Sequence, residues 1–139
     1  MNKVISALLL LTTLSYAEEG VFYIGGEAVK AISLSLGLSS IDFGDVFTDT
    51  QVDPVPVDFY VDAEAGYDYL VEIGNDDSSG VVQTSRTQSG GYTSGTISYT
   101  DTATGGDQNH EFYVDLDTGN MNSDLSATIT VTVVYLDIE

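Results

Sequence analysis

Acidic side chains are the most abundant groups in this sequence that could take part in acid–base chemistry. The 139 residues include 22 Asp and Glu, three Lys and Arg, one His and no Cys. Two neighbouring pairs, Asp76 with Asp77 and Asp115 with Asp117, have the residue types of a general acid and its base. The second pair alternates with apolar residues beside Glu111, which is typical of the solvated face of a strand. We therefore expect that pair to be surface carboxylates, and we predict no catalytic residues.

A serine–histidine triad is the other catalytic arrangement to consider, because serine and aspartate are plentiful and His110 is present. The G-x-S-x-G turn that exposes a nucleophilic serine does not occur in the sequence. His110 lies at the start of a predicted strand, where we expect it to be exposed. The lack of cysteine excludes thiol catalysis, thiolate metal sites and disulfides, and a single histidine excludes a multi-histidine zinc site within one chain. We predict that the protein is not an enzyme.

Calcium is the metal that the acidic loops favour, since it prefers oxygen ligands. Four aspartates in predicted loops are the candidate ligands: Asp76, Asp77, Asp101 and Asp107. The D-x-D-x-D-G order of an EF-hand loop is absent from the sequence. These aspartates therefore predict weak surface binding of calcium, and we expect no other cofactor.

Aromatic side chains offer a second kind of ligand site. Tyr60 and Tyr113 fall on the outward side of predicted strands, and Tyr92 lies in a glycine-rich loop. Exposed rings of this kind could form a platform for sugars. A monomeric, secreted surface β-sandwich module that binds calcium or glycans is therefore an alternative function.

The first 17 residues have the layout of a secretory signal peptide. Lys3 precedes an apolar run from Val4 to Leu14, and small residues at Ser15 and Ala17 mark a cleavage site. The run is short for a membrane span, and no other candidate span follows it. We expect cleavage after Ala17 and a secreted protein at the extracellular cell surface. Loss of Lys3 would change the formal charge from −19 to −20, and a field of this sign repels nucleic acids and anionic membranes.

Period-two alternation runs through the rest of the chain, and no segment has the spacing of an amphipathic helix. Apolar residues occupy one side and polar residues the other in the runs at 55–62, 67–73, 97–99, 111–117 and 125–135. Such runs are typical of antiparallel sheets that cover a shared core. The prediction is an all-β, immunoglobulin-like antiparallel β-sandwich of about six to eight strands over residues 28–139. Within it, "AEAGYDY" at 63–69 is expected to be a tight hairpin turn.

The first predicted strand, residues 28–38, is followed by a change of face. In "ISLSLGLSSIDFGDVF" at 32–47, Ile32 and the leucines share one side, whereas Ile41 and Phe43 fall on the other. One extra residue at this point is typical of a bulge, which re-aims every later side chain. We therefore expect the chain to leave the first sheet at Ser39–Ser40 and to continue in the second sheet.

Residues 18–27 form a candidate N-terminal extension with an apolar tract that is bordered by glycines on both sides. The candidate donor-strand residues are Val21, Phe22, Tyr23 and Ile24. An extended apolar segment on a flexible tether can pair with a sheet edge in its own chain or in a neighbour. Either Val21 and Tyr23 or Phe22 and Ile24 would then face the core.

The first and last strands resemble those of secreted pilin-type β-sandwich subunits, including spore coat U-like domains. In those subunits a hydrophobic first strand leads into a short "FG" segment, here within residues 32–47. Their last strand alternates and carries a late tyrosine, as in "SATITVTVVYLDIE" with Tyr135.

This resemblance implies an incomplete immunoglobulin-like fold that a neighbour's N-terminal strand completes, which is called donor-strand complementation. On this basis we expect a structural subunit of an extracellular pilus or fimbria, a filament in which the chain is its own partner. Because subunits of such negative charge repel one another, we expect assembly to strengthen with salt or calcium.

Overall fold

The computed structural model describes residues 10–13 and 16–136. The chain divides into two compact units, with the boundary between Val29 and Lys30. In the first unit, β1 (Leu10–Thr13) pairs antiparallel with β2 (Tyr16–Glu19). Much of the expected signal peptide, residues 1–9, 14 and 15, lies outside the described residues, and its cleavage stays a prediction.

The second unit is an antiparallel β-sandwich of seven strands. Its strands are β3 (Ser33–Leu36), β4 (Val55–Asp62), β5 (Asp68–Asn75), β6 (Val82–Ser85), β7 (Ile97–Thr102), β8 (Gln108–Leu116) and β9 (Ile129–Tyr135). The first sheet has the strand order β3-β4-β8-β6, and the second sheet has the order β7-β5-β9. The prediction of an all-β antiparallel sandwich of six to eight strands is confirmed, and the immunoglobulin-like topology stays a prediction.

The core lies between the two sheets and is built from alternating side chains. Phe59 of β4, Tyr69 of β5 and Phe112 of β8 are all buried, with at most 1% of each residue exposed. Successive side chains of a strand point to opposite faces, so each strand buries every second residue. Burial of one such aromatic side chain contributes about 1.5–3 kcal/mol. The inward faces predicted for these three strands are confirmed.

The connection from β4 to β5 crosses from one sheet to the other. Gly66, within the segment 63–69, has a φ of 86° and donates its N–H to the Ala103 carbonyl at 2.9 Å. The turn is tight, but β4 pairs with β3 and β8, whereas β5 pairs with β7 and β9. The prediction of a hairpin at this point is therefore wrong.

The predicted sheet switch at Ser39–Ser40 is also wrong, because residues 37–54 contain no strand. Ile41 and Phe43 pack against the core from an irregular segment and are half-buried. The chain turns just after Phe43, where Gly44 has a φ of 69° and donates its N–H to the Asp42 carboxylate at 2.8 Å. The change of face in the sequence thus marks apolar side chains buried without backbone pairing.

Thr84 of β6 carries an unpaired buried hydroxyl. The residue is 0% exposed, and its Oγ1 has no hydrogen-bond partner among the described residues. Its backbone pairs with Thr93 through two hydrogen bonds of 2.9 Å, so the strand does not depend on the hydroxyl. A buried polar group without a partner destabilises the folded state relative to the unfolded state.

We expect Thr84→Val to raise the free energy of unfolding by about 1 kcal/mol, because valine has a similar shape and no hydroxyl. Urea denaturation would show this as a higher midpoint at unchanged slope. Thr100→Val, at an exposed position of β7, is the control and should change the midpoint little. A lower midpoint for Thr84→Val would contradict the prediction.

Candidate functional site

An open apolar groove of about 450 Å³ lies in the sandwich between β3 and β9. We call it the inter-sheet groove. Its buried floor belongs to the first sheet, and its walls belong to the segment after β3 and to β9 with the residues before it. The floor consists of Val57, Val82, Phe112, Val114 and Leu116, and the walls include Leu36, Leu38, Ile41, Phe43, Leu125, Ile129 and Val131.

Leu36 in the groove is exposed although it belongs to the core side of the first sheet. Leu34 lies opposite Val61 and Leu36 lies opposite Phe59, so both leucines share the face of buried residues. Leu36 is nevertheless 48% exposed, and Leu38, two residues further along, is 40% exposed. A leucine on the inner face of a sandwich is normally covered by the opposite sheet. The cover over this part of the first sheet is incomplete.

The edge of β9 that borders the groove carries unpaired backbone groups. Leu136 donates its N–H to the Asp68 carbonyl at 2.9 Å, and Asp76 donates to the Thr128 carbonyl at 3.1 Å. The register between β5 and β9 is continuous, so the even-numbered residues of β9 bond to β5. The N–H and C=O groups of Ile129, Val131 and Val133 therefore point away from β5. No strand pairs with them among the described residues.

The edge of β3 borders the same groove, but here the backbone groups of the even-numbered residues point away from the neighbouring strand. Gly37 donates its N–H to the Asp58 carbonyl at 2.8 Å, which places the odd-numbered residues of this segment against β4. The backbone groups of Leu34 and Leu36 therefore point to the open side. In the described part of the chain, the groove is thus bounded by two strand edges whose hydrogen bonds are unmade, next to an apolar floor.

Tyr135 ties the two sheets together at one end of β9. Its hydroxyl donates to the Lys30 carbonyl at 2.5 Å and accepts the N–H of Glu64 at 2.7 Å. The Lys30 ammonium also lies 2.5 Å from the Asp62 carboxylate, and this hydrogen bond raises the pKa of Lys30. The sandwich is closed at this end, and the open groove extends toward Leu125.

The predicted donor residues of the extension are exposed in the single chain. Val21, Phe22, Tyr23 and Ile24 are between 45% and 92% exposed. No secondary structure is assigned from Gly20 to Ile32. The chain thus carries an apolar segment that exposes its side chains and has no assigned secondary structure.

The four calcium candidates do not converge on one point. Asp76 accepts the N–H of Thr128 at 2.7 Å and lies beyond the last residue of β5, whereas Asp101 lies opposite Tyr69, near the first. Asp107 is exposed in the loop before β8. Among the described residues, no group of three or more acidic or histidine side chains could hold a metal ion.

Asp77 has a structural role in its loop. Its carboxylate accepts the Ser79 hydroxyl at 2.6 Å and the Val82 N–H at 2.9 Å. The hydrogen bond from Ser79 is the main reason why the pKa of Asp77 is lowered. These bonds shape the entry into β6.

His110 is buried between the sheets, so the expectation that it is exposed is wrong. It is 6% exposed and stacks on Phe59 with 5.0 Å between ring centroids. Its Nε2 lies 2.7 Å from the Tyr69 hydroxyl and its Nδ1 lies 2.9 Å from the Tyr99 hydroxyl. Both ring nitrogens are occupied, and burial lowers the pKa of His110. The histidine links the first sheet to the second and has no free nitrogen to activate a nucleophile.

The remaining candidates lie on the outer surface. Tyr60 is 40% exposed. Tyr113 donates its hydroxyl to Glu111 at 2.8 Å, and Tyr92 donates to the Gln88 carbonyl at 2.9 Å. The Asp115 carboxylate accepts the N–H of Leu116 at 2.8 Å. The polar groups of three of these four side chains already bond to their own chain.

No model of a protein family matches the sequence, and a search of curated proteins finds no match either. Among the described residues, the one helical segment is a 3-10 turn at Thr118–Asn120, and no helix there is long and apolar enough to cross a membrane.

Proposed function

We propose that this protein is a structural subunit of an extracellular pilus-like filament, in which the extension of one copy enters the inter-sheet groove of the next. The observation that carries the proposal is the groove itself. It joins an apolar floor to two unpaired strand edges, and it leaves Leu36 and Leu38 exposed. The resemblance of the first and last strands to pilin-type subunits supports the same function.

The physical basis is strand addition at an open sheet edge. The backbone of an incoming segment would bond to the free N–H and C=O groups of β9, and alternate side chains would fill the groove. Burial of apolar surface contributes roughly 25 cal/mol per Å². Because the extension and the groove are different surfaces of one chain, each copy can donate to one neighbour and accept from another. A contact of this head-to-tail kind propagates into an open filament.

The test is deletion of Glu18–Gly26 in the full chain, followed by electron microscopy of cells and of purified protein. We expect filaments and SDS-resistant ladders from the unaltered chain and monomers from the deletion variant. A synthetic peptide of residues 18–28 should bind those monomers and raise their melting temperature. Filaments of unchanged abundance after the deletion would refute the proposal. A stable monomer from the unaltered chain, with a melting temperature that rises in millimolar calcium, would favour the binding module instead.

Assembly should depend on ionic strength, because every subunit carries a large negative charge. The screening length falls from about 30 Å at 0.01 M salt to about 8 Å at 0.15 M salt. We expect the sedimentable fraction to increase severalfold over this range or on addition of millimolar calcium. Sodium chloride at matched ionic strength is the control that separates screening from calcium binding. Equal assembly in low salt with a chelator would contradict the prediction.

A further inference from the structure

The proposed function leaves open which side chains of the extension enter the groove. Resting on that function, we infer that Phe22 and Ile24 face the core of the accepting subunit, whereas Val21 and Tyr23 face solvent. These two inward side chains would then determine which segment the groove accepts. Two observations lead to this assignment, and a third explains why alternate side chains enter the groove.

The first observation is the distribution of charge along the extension. In an extended strand, even-numbered and odd-numbered side chains point to opposite faces. The odd-numbered face carries a carboxylate at each end: it consists of Glu19, Val21, Tyr23, Gly25 and Glu27. The even-numbered face carries one carboxylate, Glu18 at its start, and from Gly20 onward it has no charge and no hydroxyl: it continues with Phe22, Ile24, Gly26 and Ala28. Burial of an unpaired carboxylate is strongly unfavourable, so the even-numbered face is the one that suits an apolar groove.

The second observation is the chemistry of the groove floor. The buried residues that line it, from Val57 to Leu116, have only apolar side chains. The polar lining residues, which are serines and Thr128, are exposed. A tyrosine hydroxyl buried on this floor would lack a partner. Phe22 and Ile24 have no polar side-chain atoms and avoid this cost.

The third observation concerns the open edge of β9: which residues have outward-pointing backbone groups, and which face their side chains share. Its unpaired backbone groups belong to Ile129 and Val131, and Val131 shares the face of buried Ile73, which lies opposite it on β5. In an antiparallel pair, residues directly opposite each other share a face. A residue that bonds to Val131 through its backbone therefore points its side chain into the groove. The edge of β9 thus requires that alternate residues of the incoming segment enter the groove. Either pair in the extension has this spacing, and the first two observations select Phe22 and Ile24.

The test compares two matched double variants of the full chain. One carries Phe22→Asp and Ile24→Asp, and the other carries Val21→Asp and Tyr23→Asp. Both add the same charge to the same segment, and all four positions are exposed in the single chain, so neither variant should disturb the sandwich. We expect the first variant to raise the concentration needed for filament formation by at least about a hundredfold, because it buries carboxylates, and the second to change it by about threefold or less.

Each outcome separates this inference from the proposed function. If the second variant loses assembly and the first does not, or if both lose it equally, the assignment is overturned while the proposed function stands. The deletion of Glu18–Gly26 is run in parallel. If that deletion abolishes filaments and neither double variant changes them, the assignment is again overturned. If the deletion leaves filaments intact, the proposed function itself fails.

Discussion

Val131→Pro is expected to stop filament assembly while the sandwich remains folded. The N–H of Val131 points to the open edge of β9 and bonds to nothing in the described part of its own chain. Proline is tolerated in an edge strand where its missing N–H would face solvent. The substitution therefore removes a donor that only an incoming strand would use. It also ties the carbons of a half-buried side chain back to the backbone nitrogen, and the packing lost costs about 1 kcal/mol.

Two companion variants make this prediction specific. Val131→Ala removes the packing of two methyl groups and keeps the N–H, so it should still assemble. Thr132→Pro removes a hydrogen bond to Glu72 of β5 and should lower the free energy of unfolding by roughly 3 kcal/mol. Circular dichroism in urea reports the fold, and sedimentation reports assembly. Normal filaments from Val131→Pro would show that the free edge of β9 is not used.

The second large effect is expected from His110→Leu, which should lower the free energy of unfolding by about 3 kcal/mol. The substitution leaves the hydroxyl of Tyr69, a residue that is 0% exposed, without its partner at 2.7 Å. It also removes the bond to the half-buried Tyr99. An unpaired buried hydroxyl costs about 1–3 kcal/mol. For a domain of this size the melting temperature should fall by roughly 10 °C.

A double variant separates the hydrogen bond from packing. Adding Tyr69→Phe to His110→Leu removes the unpaired hydroxyl and should recover about half of the loss, since replacing both partners by apolar groups is nearly neutral. Thermal unfolding followed by circular dichroism measures the difference. No recovery in the double variant would mean that the loss comes from packing against Phe59 instead.

His110 should also make stability depend on pH. Burial and Arg86 lower its pKa below the ordinary value of 6.5, and the nearby Asp101 carboxylate only partly opposes them. The unfolded chain therefore takes up the proton first. The stabilisation is complete above pH 6.5 and is lost as the pH falls toward the lowered pKa, at up to about 1.4 kcal/mol per pH unit. His110→Leu should flatten this slope between about pH 5 and 6.5, where ordinary carboxylates are still ionised. Equal slopes in both proteins would contradict the assignment.

Alternation along the chain was sufficient to predict β4, β5 and β8 and their inner faces. Phe59, Tyr69 and Phe112 lie on the apolar sides of the runs at 55–62, 67–73 and 111–117, and all three are buried. The pattern is informative because the side-chain period of a strand is two, whatever the strand pairs with. The apolar tract Val21–Ile24 could be recognised as an uninterrupted run between glycines.

The wrong predictions all concern residues whose pairing or packing partners are distant in the sequence. The turn at 63–69 was predicted to join paired strands, but it joins strands of different sheets. Ile41 and Phe43 were assigned to a strand, but they are buried from an irregular segment. His110 was expected at the surface, but its two hydrogen-bond partners are Tyr69 and Tyr99, on strands of the other sheet.

The sequence by itself determined that this protein is an antiparallel β-sandwich with an apolar, glycine-bordered tract near its start. Only the tertiary structure decided that, among the described residues, no strand pairs with the outer edges of β3 and β9 beside exposed Leu36. The physical reason is that local alternation specifies which face of a strand is buried. Which edge is paired depends on register between segments as far apart as Tyr69 and Tyr135. An open edge and a paired edge have the same alternating sequence, so the groove becomes visible only when the strands are assembled.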